Sequence, residues 1–184
     1  MQYLGIKEQN KDAIVMFRLG DFYEMFFDDA MIVSKELELA LTGKNAGAKE
    51  RVPMCGVPFH SASGYIQKLV DGHKVAIVEQ LTDPGKKGIV ERGVVQIVTP
   101  GTIFDESMTK NKNNYIACMM IFDFVYTLAF CDITTGEFQV VNIDKKDHLL
   151  NNQLASMEVK EIVVKSDCTY NFNDSIMVSH YDNE

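Results

Sequence analysis

Three short apolar runs rich in β-forming residues constrain this chain most: Ala13–Leu19, Val75–Gln80 and Val94–Val98. Each reads as a buried strand bounded by turn residues, Gly20 after the first and Pro100-Gly101 after the third. Between and before them the pattern changes to a helical one. Residues 2–9 read as a short helix, and Ser61 is placed to cap another that runs to about Val70. From Asp21 to about Leu39, Phe22, Met25, Phe26, Ala30, Ile32, Val33 and Leu37 recur at helical spacing, with Asp21 as the expected cap and Glu24 completing a capping box. Leu39–Thr42 resembles a short strand, and Pro53–Pro58 is excluded from helix by its two prolines and Gly56. Helices alternating with buried strands imply an α/β fold, a mixed β-sheet with flanking helices.

A second unit follows. Residues 102–114 are polar and read as a linker, after a first domain of residues 1–101. Tyr115–Phe122, Tyr126–Ile133 and Phe138–Ile143 then form a three-stranded meander, followed by a helix near Asp147–Met157 and a strand at Glu161–Lys165. Charge separates the halves. Residues 1–101 carry 12 Lys and Arg against 13 Asp and Glu, whereas residues 102–184 carry 6 against 13. The acidic half suits protein partners better than phosphates. In the first half Lys44, Lys49 and Arg51 share one Gly-rich loop, and Lys86, Lys87 and Arg92 another, so basic loops are available to phosphates despite the near-neutral total. An apolar content of 46% supports a real core. No apolar run reaches the roughly 18 residues that span a bilayer, and Met1 opens no signal peptide, so a cytoplasmic protein with no membrane partner is expected.

The chemistry legible in single residues is sparse. Four cysteines and four histidines are scattered without metal-ligand spacing, so no metal site is expected. Gly43–Lys49 looks phosphate-friendly but fails the P-loop pattern, so this chain by itself is not expected to hydrolyse ATP. On the expected helix, Asp21, Glu24 and Asp28 would share one face and suggest a metal-dependent nuclease, although acidic residues in a first turn also favour the helix dipole. Asp132, in Cys131–Glu137, resembles the strand-borne aspartate of ribonuclease H-like folds, yet as a lone carboxylate beside a turn it reads more simply as a turn residue. Phe22 and Glu24, an aromatic and a carboxylate two residues apart, offer a flat ring and a hydrogen-bonding oxygen to one planar ligand such as an unstacked base.

Four blocks in order resemble the mismatch-recognition domain of the MutS family of DNA mismatch-repair proteins. They are Phe17–Glu24, Pro53–His60, Val75–Gln80 with Asp83-Pro84, and Ile97–Thr102. The meander with Cys131–Glu137 resembles the start of that family's connector domain, which implies a partial, ribonuclease H-like second domain over residues 115–184. The resemblance implies that Phe22 wedges into the minor groove and stacks on the mispaired base, that Glu24 hydrogen-bonds this base, and that Tyr23 turns inward. It places Met54 near the wedge and Lys44, Gln80 and Arg92 toward DNA. It implies a binding module with no catalytic residue and no cofactor of its own. ATP and magnesium belong to the ATPase domain of full-length family members, which are expected to form homodimers and to bind other mismatch-repair proteins. The implied partner is double-stranded DNA containing mismatches or small loops. Gly43-Lys44 stands where Lys-Arg is common and Gln96 where Arg is frequent, changes that weaken phosphate contacts and leave the wedge intact. A family relative that binds recombination intermediates is the other implied reading, and the presence of both Phe22 and Glu24 argues against it.

Overall fold

The run Ala13–Leu19 forms strand β1, with its first five residues buried, but the chain does not continue into a helix. Gly20, at φ +60, and Asp21 make a two-residue turn, and Phe22–Phe26 returns as strand β2, pairing Leu19 with Phe22, Arg18 with Tyr23 and Phe17 with Glu24. A glycine at positive φ in the first position of a two-residue loop is the hairpin geometry that matches strand twist. Asp21 therefore turns a hairpin and caps nothing, Glu24 completes no capping box, and the expected helix starts only at Phe27, as α2 (Phe27–Glu36). Phe22, Met25 and Phe26 fit a helical period, but Phe22–Phe26 also alternates outward and inward, and pairing on both sides decides for the strand.

The computed structural model describes residues 2–45, 51–82, 90–103 and 113–182. These fall into two units, Met1–Thr99 and Pro100–Glu184. Most of the expected linker, residues 104–112, and the basic residues Lys49, Lys86 and Lys87 lie outside the described residues.

In the first unit, helix α1 (Gln2–Gln9) precedes β1. After α2 come β3 (Thr42–Lys44), β4 (Val52–Pro58), a 3-10 turn at Phe59–Ser61, helix α3 (Ala62–Leu69), β5 (Lys74–Gln80) and β6 (Arg92–Val98). The six strands form one mixed sheet in the order β3-β4-β2-β1-β5-β6, with β1 and β5 parallel and every other pair antiparallel. The expected strand at Leu39–Thr42 is displaced toward the loop, as β3. Ser61 occupies the N-cap position of α3, but its hydroxyl donates to Pro58 O (3.2 Å) and caps no helical N–H.

The two helices flanking the centre take opposite faces. Tyr3 of α1 packs edge-on against Phe17 and Phe26, within a core of Ala13, Val15, Val52, Ala76 and Val78. Cys55, on the other face, donates its thiol to Ala30 O of α2 (3.5 Å). Asp29, buried in the first turn of α2, ties these elements together. It accepts from Tyr3 Oη (2.9 Å), Lys7 Nζ (2.8 Å) and the Val15 amide (3.0 Å). Burial, with the Asp29 charge beside it, holds the Tyr3 hydroxyl well above the ordinary tyrosine range.

The second unit contains β7 (Tyr115–Ile121), β8 (Val125–Asp132), β9 (Glu137–Asp144), helix α4 (Asp147–Ser156), β10 (Glu161–Lys165) and β11 (Met177–Tyr181). Its sheet runs β11-β10-β7-β8-β9. The first three strands form an antiparallel meander, while β10 lies parallel to β7 and β11 parallel to β10. The unit is thus a mixed sheet with helix α4 packed on it, within the α/β class expected. Alternate residues Tyr115, Ala117 and Met119 of β7, with Tyr126, Leu128 and Phe130 of β8, face Leu150 and Leu154 of α4 in a closed core. Strand β11 escapes sequence reading because Met177–Tyr181 is a short edge strand carrying Ser179 and His180, with no buried apolar run to mark it. Asp132 is fully buried in the β8–β9 turn. It accepts from the Thr134 amide (2.8 Å) and hydroxyl (2.6 Å) and from the Asn114 amide (3.2 Å). Burial pushes its carboxyl up, but these hydrogen bonds outweigh burial and hold it below the ordinary aspartate range. Among the described residues no helix is long and apolar enough to cross a membrane.

Candidate nucleic-acid interface

Strand pairing in the first unit collects six sequence-selected residues on one face of its sheet. Residues two apart on a strand share a face, and directly paired residues share it across strands. Phe22, Glu24 and Phe26 therefore lie on the same side as Leu19 and Phe17 of β1 and as Pro58, Gly56 and Met54 of β4. Lys44 joins them through its pairing with Val52, Gln80 through Val78, which pairs with Phe17, and Arg92 through Gln80. Helix α1 covers the neighbouring part of this face. Phe22, Gln80 and Arg92 cluster at the end where β1 and β5 finish. Met54 and Lys44 lie toward the β3 flank.

Exposure separates the aromatics of β2. Phe22 is 45% exposed, whereas Tyr23 and Phe26 are 7% and 8% exposed. The Phe22 ring, at the hairpin end, is thus the aromatic that β2 leaves open to solvent. Tyr23 points to the opposite face, where its hydroxyl donates to Glu79. Burial, and then this hydrogen bond, push the Tyr23 hydroxyl up to about 12.

The turn that carries Phe22 is clamped from that opposite face. Arg18 donates from Nε to Gly20 O (2.5 Å), pairs through Nη1 with Glu79 (3.5 Å) and stacks its guanidinium 3.6 Å from the Phe59 ring centroid. The Phe59 amide donates to Asp21 O (2.9 Å). Phe22 thus projects from a turn with both carbonyls held.

Glu24 is the other half of the pair. Its side chain, 16% exposed, accepts a hydrogen bond from Lys44 Nζ at Oε2 (2.5 Å). The Lys44 ammonium also sits 5.6 Å from the Phe26 ring centroid. Gly56, paired directly with Glu24, lets β4 approach the β2 backbone closely: a Cβ there would lie 3.1 Å from Tyr23 O. Arg92 is on the same face, but its Nε donates to Arg18 O (2.7 Å) and its Nη1 to Val90 O (2.9 Å), so much of its fork is spent on backbone. Beside this face, Tyr3, Phe17, Leu19, Phe26, Phe27 and Val52 line an apolar cleft of ≈ 520 Å³ with Lys44 and Arg92 at its rim.

Asp21, Glu24 and Asp28 occupy a turn, a strand and a helix, so the shared helix face behind a nuclease reading is absent. Sequence reasoning missed Gly56 and the Arg18–Phe59 clamp. Gly56 carried a signal, as a glycine between apolar residues marks a close approach, whereas the clamp depends on pairings distant in sequence.

By fold and surface, the first unit is a mixed α/β module that presents an exposed aromatic and a salt-bridged carboxylate on one open strand face. Residues 1–107 match the model of the family described as MutS domain I. The chain is 48% identical over 178 residues to the DNA mismatch repair protein MutS of Clostridium botulinum strain 657, covering 95% of this chain and 19% of that protein. It is 51% identical over 166 residues to the DNA mismatch repair protein MutS of Bacillus licheniformis, covering 89% of this chain and 19% of that protein. The chain belongs to the MutS family, and spans about a fifth of the length of these relatives.

Proposed function

We propose that this chain is the DNA-reading part of a mismatch-repair protein: Phe22 wedges beside a mispaired or unpaired base, and Glu24 hydrogen-bonds it. The observation that carries this reading is the placement of Phe22 and Glu24, two residues apart on one open face of β2, with the ring exposed and its turn clamped. A base-pair step admits an aromatic wedge only by unstacking, at a cost of a few kcal/mol, with the duplex kinking away. A mispaired base is weakly stacked and its site bends easily, so the cost falls there. Base–aromatic stacking of about 1–3 kcal/mol then offsets the remainder. Discrimination arises chiefly from deformability, which suits acceptance of many mismatches and small loops. Glu24 supplies a directional hydrogen bond to the displaced base. Met54 packs beside the wedge strand, and Lys44, Gln80 and Arg92 face the flanking backbone. The module performs no chemistry, and ATP-dependent steps, dimer contacts and other repair partners belong to the parts of full-length relatives outside this chain.

A competition between a mismatched duplex and its matched counterpart, wild type against Phe22→Ala, tests the proposal. The variant is expected to lose roughly 5- to 150-fold in affinity for the mismatch, the stacking contribution expressed as a ratio, and little for the matched duplex. Equal losses on both would remove the wedge assignment.

A further inference from the structure

Lys44 and Glu24 both face the proposed DNA surface, yet they are engaged with each other. The ammonium lies 2.5 Å from Glu24 Oε2, and among the described residues Lys44 is the one cation paired with this carboxylate. Lys44 comes from β3, a three-residue strand at the edge of the sheet, and its side chain is 43% exposed, while the Glu24 side chain is 16% exposed. Two consequences follow from the geometry. While the pair is closed, the ammonium is held at the base-reading group and is withheld from phosphates. The carboxylate, which a phosphate backbone would repel, is neutralised by it. The lysine side of the pair is open to solvent, so water can take over the ammonium's contact as the pair parts, and it yields when both members find better partners.

We propose that the Lys44–Glu24 ion pair is a latch: it stays closed on matched DNA, and opens when a mispaired base draws Glu24 away and frees Lys44 to take a phosphate. The latch rests on the reading of Phe22 and Glu24 given above and deepens it. On matched DNA, with no displaced base to bind, Glu24 keeps its lysine, and the surface slides past as a neutral pair. At a mismatch the same event that seats Glu24 adds one cationic contact to the backbone. Base reading is thereby coupled to grip without any movement of the sheet.

Salt dependence separates this latch from an ordinary phosphate contact. Each duplex phosphate neutralised by a lysine steepens the fall of log K with log salt by about 0.9. Affinities of the 184-residue chain for a mismatched and a matched duplex, measured by NMR titration across a salt series, give the two slopes. In the wild type the mismatched slope is expected to be steeper by about 0.9. Lys44→Met is expected to abolish the difference by making the mismatched slope shallower. Glu24→Gln is expected to abolish it from the other side, because an unpaired Lys44 reaches phosphate on both duplexes and steepens the matched slope. Lys44→Arg is expected to retain the wild-type difference. Equal shallowing of both slopes by Lys44→Met, with Glu24→Gln leaving both unchanged, would make Lys44 a plain phosphate contact and overturn the latch. The Phe22→Ala competition fails independently: a selective loss there alongside an absent slope difference removes the latch alone, and equal losses there remove the recognition reading itself.

Discussion

Asp29→Asn strikes the structural joint beneath the proposed interface. Asp29 is 3% exposed and gathers three donors, Tyr3 Oη, Lys7 Nζ and the Val15 amide, from α1 and β1. An asparagine has one acceptor oxygen, and its amide would face either Lys7 or the Val15 N–H beside Tyr3, donor against donor. In the first orientation Lys7 keeps Ala13 O (2.7 Å) and loses one of its two bonds; in the second the Val15 amide loses its acceptor and the single Tyr3 proton is left to Phe26 O (3.2 Å). Hydrogen bonds to a charged group contribute about 1.5–3 kcal/mol each, and breaking a buried pair costs about 3–5 kcal/mol. Because Lys7 is 27% exposed and water can replace part of its loss, the lower end applies, about 3 kcal/mol. For a unit of this size that corresponds to a fall in Tm of roughly 12–24 °C. Urea denaturation followed by circular dichroism measures it. Lys7→Met should partly compensate, so that the double variant loses at least about 1 kcal/mol less than the sum of the single variants. A loss below about 1 kcal/mol for Asp29→Asn, or strict additivity with Lys7→Met, would refute the reasoning that this carboxylate holds α1 on the sheet.

Two further predictions follow from the same unit. Gly56→Ala brings a methyl group within 3.1 Å of Tyr23 O on the strand that carries Phe22 and Glu24, and is expected to cost about 1–3 kcal/mol and to reduce mismatch preference. Gly64→Ala, on α3 with nothing within 4 Å, is its control and is expected to raise Tm, since alanine is the better helix former by up to ~1 kcal/mol. The Tyr23 hydroxyl is raised to about 12 in the folded protein from an ordinary 10.0, so the neutral form is favoured by folding. Its contribution to stability is then complete below the unfolded value and is lost as pH rises from about 10 to about 12. Thermal unfolding across that window should flatten in Tyr23→Phe, and an unchanged slope would show that Tyr23 is not the group responsible.

Much of this architecture was legible because strong local signals agreed with the final packing. The runs behind β1, β5 and β7 carry β-branched or aromatic residues between turn residues, and α4 is marked by the spacing of Leu150 and Leu154. The sequence favours a helix over the hairpin β1–β2 because Phe22, Met25 and Phe26 satisfy two periods at once, and the outcome depends on pairing with β4, some thirty residues onward. Phe22 and Glu24 stood out from type and spacing alone. Their common face with Lys44, Met54, Gln80 and Arg92 did not, because that follows from registers joining strands distant in sequence. The Lys44–Glu24 pair and the diversion of Arg92 to backbone carbonyls are likewise tertiary facts. No short-range pattern announces them.

The central claim is that the open face of β2 reads an unstacked base. Intermolecular nuclear Overhauser effects, collected with this chain and a duplex containing a single mismatch, test it most directly. The Phe22 ring protons are expected to contact base protons at the mismatch, with the Glu24 side chain close to the same base, and these contacts should vanish with the matched duplex. Contacts to sugar protons alone, or the same pattern from both duplexes, would contradict the claim.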